Sequence, residues 1–296
     1  MSGSAARIVQ ERIRAQRDAA RAHEEGVRTG GDPEDIHQMR VALRRLRSAL
    51  VTFRPLFDRE VTEPLREEVK WLAALLGGVR DTEVMQERMA RVVSEEPDGA
   101  DAVAARQLLE GRLDGDLGAA RSELADAMGS VRYSVLMDGL DALAEQPPWA
   151  PDARDAGGAL LRKRIRHDFD RMRDAVDAVG TAVSTAERDE RLHEVRKAAK
   201  RVRYAAETVE ARFGRPADRL AKAAEEVQEV LGEQHDAVTA LALLRDAADG
   251  VRDEGGTSFA LGRLHARTER ASEDRIGEFD QAWKRARKPK LRRWLR

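Results

Sequence analysis

The chain is 296 residues long and sets 53 Lys and Arg against 54 Asp and Glu, a formal net charge of −1, so affinity for a poly-anion can come only from where the charges sit. It has no cysteine, which excludes a disulfide framework and a thiolate metal site and suits a reducing cytoplasm. Five isoleucines, six Phe, four Trp and two Tyr beside abundant Ala, Leu, Arg and Glu argue against strands and for an all-α protein.

The opening MSGSAARIVQ lacks the apolar run of a signal peptide, and no apolar stretch nears the ~18 residues of a membrane span, so neither export nor membrane spanning is expected. The first helix is predicted over about 5–28, stopped by Gly30 and Gly31. Asp32 is then an N-cap, Pro33 suits the first turn, and Glu34 and Asp35 complement the positive helix end. This second helix should end near Pro55. A third is predicted after Pro64 as far as Pro97, and a fourth over about 100–129, followed by a short one. The stretch EQPPWAPDARDAGG, with three prolines and two glycines, reads as a linker over 146–157. Beyond it, helices are predicted near 158–184, 187–213 (stopped by Gly214 and Pro216), 217–250 and 257–287, with Gly255 and Gly256 as the last break.

The two sets of helices follow an internal repeat. DIHQMRVALRRLRSAL (35–50) matches RLHEVRKAAKRVRYAA (191–206) at a shift of 156. His37 falls on His193, Arg40 on Arg196, Arg44 on Lys200, Arg45 on Arg201 and Arg47 on Arg203. VQERIR (9–14) matches LRKRIR (161–166) at 152, and LLGGVRD (75–81) matches VLGEQHD (230–236) at 155. VRYSVLMDGL (131–140) matches ARKPKLRRWL (286–295) at 155 more weakly, through its leucines and one Arg. The expected fold is two pseudo-symmetric four-helix bundles from an internal duplication, residues 5–145 and 158–296.

At ~100° per residue, Arg40, Arg44 and Arg47 fall on the same side of their helix as His37, and Met39, Leu43, Leu46, Leu50 and Phe53 on the opposite, core-facing side. The second copy repeats this with His193, Arg196, Lys200 and Arg203 against Val195, Val202, Ala206 and Val209; Lys197 and Tyr204 widen its polar stripe. Like charges three and four residues apart repel by a few tenths of a kcal/mol a pair. Residues 36–57 hold five Arg and no acid, so this repulsion is left for something external to neutralise. A phosphate chain suits it: Arg forks phosphate oxygens and Lys supplies a point charge. First-helix residues extend the basic surface: Arg14, Arg17 and Arg21, and in the second copy Arg162, Arg166 and Arg173, with Lys163 and His167 nearby. A second basic run closes the chain, with eight Lys or Arg and no acid over 284–296.

A helix reading H-x-x-R-[VK]-x-x-[RK]-R-x-R, followed by an LG-x-x-[RH]-D element and then repeated, resembles the CHAD (conserved-histidine α-helical) domain over roughly residues 5–296. The resemblance implies a helical module that binds inorganic polyphosphate through basic residues, located in the cytoplasm at polyphosphate granules. The E-x-E-x-K motif of the catalytic triphosphate-tunnel domain that often accompanies CHAD domains is absent from the sequence, so a stand-alone, non-enzymatic module is expected, with no cofactor and no metal.

Two other functions fit parts of the pattern. Nucleic-acid binding would use the same cations but needs exposed rings for stacking, and the best stripes offer only Tyr204. A phosphotransfer or phosphohydrolase enzyme would use the histidines, yet His37 and His193 have cations rather than an orienting carboxylate as helix-face neighbours, and read as anion donors or structural histidines. The pair His235-Asp236 resembles part of an HD metal site, but the matched position in the first copy is Arg80, which points to anion contact or structure. Asp81 and Asp236 are expected to pair with basic residues between helices. Trp283 and Trp294 are expected to pack the last helix.

Overall fold

The computed structural model describes residues 4–30, 32–96, 99–251 and 255–296, and the regular elements among these are all helices. Side-chain caps start many of the elements. Ser4 accepts from the Arg7 amide at the head of α1 (Ala5–Ala22), which runs through His23 into the short α2 (Glu24–Thr29). Gly30, in left-handed conformation, closes α2, a geometry that favours glycine. Asp32 caps α3 (Pro33–Thr52) through the Glu34 amide, with Pro33 in the first turn. Asp58 caps the long α4 (Arg59–Ser94), and Ser130 caps α6 (Val131–Glu145), which follows α5 (Ala100–Met128). The second half runs α7 (Gly158–Val179), α8 (Thr185–Thr208, capped by Ser184), the single turn α9 (Glu210–Phe213), α10 (Arg215–Gly250) and α11 (Gly255–Ala286). Two 3-10 turns, Pro289–Leu291 and Arg293–Leu295, end the chain.

The all-α expectation holds, and several boundaries move. The first helix breaks at His23 instead of running to residue 28, and the His23 ring there bonds Asp35 of α3 at 2.7 Å. Pro64 lies inside α4 rather than before it. The carbonyl that loses its donor there belongs to Glu60, an exposed residue that water can serve. Gly255 and Gly256 begin α11 instead of interrupting the chain ahead of it. The 131–140 and 286–295 segments, aligned in sequence, differ in structure. The first is helix α6, whereas Pro289 in the second confines the chain to short turns. Two predicted helix stops, Gly31 and Pro97, and the first three residues of the N-terminal stretch lie outside the described residues.

The two halves share one core. Ile8, Val9 and Ile13 of α1, Leu43 and Leu46 of α3, Leu72 and Leu76 of α4, Leu161, Ile165 and Phe169 of α7, and Val195 and Val202 of α8 belong to a single buried cluster. A second cluster lies farther along the long helices, where Met89 of α4, Leu109 of α5, Leu244 of α10 and Leu261 of α11 meet. The segment 146–157 packs rather than dangles. Trp149 stacks on Phe57 at 5.1 Å, the Ala150 amide bonds the Leu56 carbonyl at 3.0 Å, and the Ala5 amide bonds the Ala156 carbonyl at 2.8 Å. Trp283 stacks on Phe169 at 6.0 Å, and Trp294 meets Phe213 at 5.0 Å, so both tryptophans pack. Among the described residues no helix is long and apolar enough to cross a membrane.

Candidate anion-binding site

α3 packs directly on α8, and that contact joins the two basic stripes. Arg40 and Arg44 from α3 meet Arg196 and Lys200 from α8, each within repulsive reach of the other three. The hydrophobic faces explain the placement. Met39, Leu43 and Leu46 on one helix, and Val195, Ala199 and Val202 on the other, are sunk in the shared core, which turns the basic faces toward a common space.

α4 and α10 wall this space with their LG-x-x-[RH]-D elements. A Cβ at Gly77 would lie 3.4 Å from Arg40 Nε, and one at Gly232 would lie 3.7 Å from Arg196 Nη2. Each guanidinium therefore passes close over a glycine, where a Cβ would be in van der Waals contact and a longer side chain would push it away. Arg80 sits near His37, and His235 near Arg196 and Lys200. The expected pairing of Asp81 is present: Arg40 Nη2 donates to its two oxygens at 2.9 and 3.2 Å. Asp236 lies in the field of Arg196 and Arg88, and burial pushes its carboxyl up, which weakens it as a counter-charge.

The cluster is under-neutralised. Burial, then Arg196, Arg44 and Arg40, push the Lys200 amine down to about 7, and Asp81 opposes this only in part. Burial also lowers His37, assisted by Arg80, Arg44 and Arg40 and opposed by Glu34. It lowers His193, assisted by His235, Lys197 and Arg196. The rings of His193 and His235 stand 4.5 Å apart. Arg44 Nε, Arg196 Nε and His193 Nδ1 are buried with no hydrogen-bond partner among the described residues. An unpaired buried donor costs about 1–3 kcal/mol. An anion seated here would supply the missing acceptors and cancel the repulsion together.

Other sequence-predicted residues are engaged elsewhere. Arg203 is held by Glu207 at 2.8 Å and Glu225 at 2.7 Å, and Lys197 by Glu194 at 2.6 Å. Arg47 is exposed and lies toward Arg66 and Arg201, on the flank of the cluster. The first-helix arginines, expected from the sequence to extend the basic surface, are engaged by acids of α2 and α6. Arg14 donates to the Ala144 carbonyl at 3.0 Å and pairs with Glu145, Arg17 pairs with Asp141 and Glu145, and Arg21 pairs with Glu24 and Asp141. That face of α1 lies along the acidic side of α6. On α7, Arg166 donates to the Leu295 carbonyl, Arg173 pairs with Asp170 and Asp174, and Arg162 lies 5.8 Å from the Phe213 ring.

Repulsion within 36–57 is also partly relieved inside the protein, which sequence spacing did not show. Glu207 alone binds Arg12 at 2.8 Å, Arg45 at 3.3 Å and Arg203 at 2.8 Å. The residues missing from the expected site are Arg80, His235, Gly77 and Gly232. The 155-residue shift between LLGGVRD and VLGEQHD was the signal that pointed to them. Among the described residues, no three His, Cys, Asp or Glu side chains come together as a metal site.

An all-helical protein with a cationic cluster where α3 and α8 meet is thus the class that fold and site define. The chain belongs to the CHAD domain family, whose model matches residues 11–245. It is similar to PptA from Streptomyces chartreusis, with a TM-score of 0.82 and 26% identity over 96% of this chain and 100% of that one. It is also similar to the CHAD domain from the plant Ricinus communis, with a TM-score of 0.71 and 26% identity over 95% of this chain and 92% of that one. Two uncharacterized proteins of Mycobacterium tuberculosis, MT2285 and Rv2226, are each 32% identical over 243 residues, 78% of this chain. The chain covers only 44% of the length of those relatives.

Proposed function

We propose that this protein binds inorganic polyphosphate in the α3–α8 cluster and does not turn it over. The observation that carries this is the meeting of Arg40, Arg44, Arg196 and Lys200 in one space, where Asp81 is the acid that makes a direct ion pair with them. Arg and Lys on a helix face are spaced about 5–6 Å apart, a pitch suited to an extended phosphate chain. The cluster is also built alike from both sides: Arg40 over Gly77 faces Arg196 over Gly232. A polyphosphate chain reads the same in both directions and meets such a site equally from either end, whereas a nucleic-acid strand has a direction. Tyr204, the aromatic ring of the stripe, is 5% exposed and lies between Arg45 and Arg203. It is not available for base stacking, which weighs against RNA. The CHAD resemblance supports polyphosphate as the ligand and its granules in the cytoplasm as the place of action.

Competition between long-chain polyphosphate and single-stranded RNA at two salt concentrations tests the proposal. Polyphosphate is expected to displace RNA at both, with affinity falling as salt rises because each cation–phosphate contact releases counterions. RNA that competes on equal terms, or polyphosphate affinity indifferent to salt, would overturn it.

A further inference from the structure

We propose that the α3–α8 cluster takes up protons as it takes up its anion, so that polyphosphate capture is tied to pH through Lys200 and the His193–His235 pair. This rests on polyphosphate being the ligand. Lys200 is faced by Arg40 and Arg44 from α3, by Arg196 from its own helix, by His235 from α10 and by Asp81 from α4. The charged residues that α1 and α7 turn toward this region engage the flanks instead, Arg12 beside Arg45 and Asp168 beside Arg201. His193 has His235, Arg196 and Lys197 around it with Glu194 opposing, and His235 has Arg196 and Lys200 around it with Asp81 opposing.

Two imidazoles 4.5 Å apart, ringed by cations, cannot both carry a proton until a counter-anion arrives. The buried, unpartnered Nδ1 of His193 is an atom that a protonated ring would use to donate to such an anion. The same holds for the amine beside three arginines. In the free protein Lys200 is held down to about 7, so above that pH it is largely neutral. Phosphate oxygens at the cluster reverse the sign of the local field and draw the proton back from solvent.

The direction of the effect follows from linkage. A group protonated in the complex and neutral in the free protein makes binding weaker as pH rises, about tenfold per pH unit for each whole proton taken up. For Lys200 the loss sets in as pH passes about 7. The imidazoles, lowered in the free protein, add to it at more acid pH. The device distinguishes the two halves of the site, because Lys200 stands where the first stripe has Arg44, a cation that never loses its proton in this range.

Calorimetric titration of long-chain polyphosphate at pH 7.5, in buffers that differ in heat of ionisation, reads proton uptake directly. Long chains keep titrating end groups few. Binding heat should vary with buffer heat in the sense of uptake, and affinity should fall about tenfold between pH 6.5 and 8.0. In Lys200→Arg, its fold checked by thermal melting, most of that fall and most of the buffer dependence at pH 7.5 should vanish. His235→Asn should reduce the uptake that persists at pH 6.5, where the imidazoles contribute most. Saturable binding with heat independent of buffer, or a Lys200→Arg protein with unchanged pH dependence, would overturn the coupling while leaving the ligand assignment intact. No binding heat at any pH would overturn both.

Discussion

Asp81→Asn makes a sharp test of the electrostatics. The carboxylate lies 2.9 Å from Arg40 and acts also on Arg196, Lys200 and His235. Two unit charges about 4 Å apart at an effective dielectric of about 20 interact by about 4 kcal/mol. Asp81 is 69% exposed, however, and Arg40 19%, and pairs with one partner in solvent are worth about 1 kcal/mol or less. Asparagine keeps the size and one acceptor and removes the charge. The free protein should therefore lose up to about 1 kcal/mol, seen as a fall of about 2 °C in melting temperature. Binding should change the other way. An incoming phosphate no longer competes with a carboxylate for Arg40, so long-chain polyphosphate should bind up to about fivefold more tightly, the equivalent of about 1 kcal/mol. Thermal melting by circular dichroism and calorimetric titration measure the two effects on one preparation. A variant that binds more weakly would refute the reasoning, because Asp81 would then be holding Arg40 in place for the ligand rather than competing with it.

Three further outcomes follow from the same structure. Lys200 in the folded protein titrates near 7 against an ordinary value of 10.5. Between these values the unfolded chain binds more protons, so this lysine costs stability in full below about pH 7 and progressively less as pH rises. Lys200→Gln should accordingly raise the melting temperature of the ligand-free protein more at pH 6 than at pH 9, and an equal shift at both would contradict the assignment. Gly232→Ala, with its new Cβ at 3.7 Å from Arg196, should be stabilising by up to about 1 kcal/mol through helix propensity. Gly77→Leu should instead displace Arg40 and weaken binding while helicity measured by circular dichroism stays near wild type. Thr52 donates to Asp168 at 2.7 Å, and Asp168 is 2% exposed, so Thr52→Val should cost about 1–3 kcal/mol in urea unfolding for the acceptor left unpaired.

Local rules made much of this fold readable in advance. Asp32 and Pro33 start α3 as their chemistry requires, and the 3.6-residue spacing of Met39, Leu43 and Leu46 marks the face that is buried. The match of His37 and Arg40 to His193 and Arg196 located the two helices that meet at the site. Spacing along one helix carries no information about acids brought from elsewhere, and that is where the expectation failed. Arg17 and Arg21 meet Asp141 from α6, more than a hundred residues away in the chain. Glu207 gathers arginines from three helices. The pairing of Arg203 with Glu207 is the exception, since an i,i+4 acid on the same helix was visible in the sequence as a sign that this cation is occupied. The role of Gly77 and Gly232 required coordinates, because a glycine in a helix shows its purpose only when the side chain lying across it is seen.

The central claim is that the two stripes form one polyphosphate site, and a double-mutant cycle in calorimetric titration tests it most directly. Wild type, Arg44→Ala, Lys200→Ala and the double variant would be titrated with long-chain polyphosphate and, in parallel, with tripolyphosphate, at pH 6.5, where Lys200 is largely charged. If one chain spans both stripes, the second contact forms at high effective concentration and long chains outbind short ones per molecule. Either single change should then remove most of the long-chain advantage, with the second adding little to the loss. Losses that simply add, together with equal per-site affinity for short and long chains, would mean two independent patches and would contradict the claim.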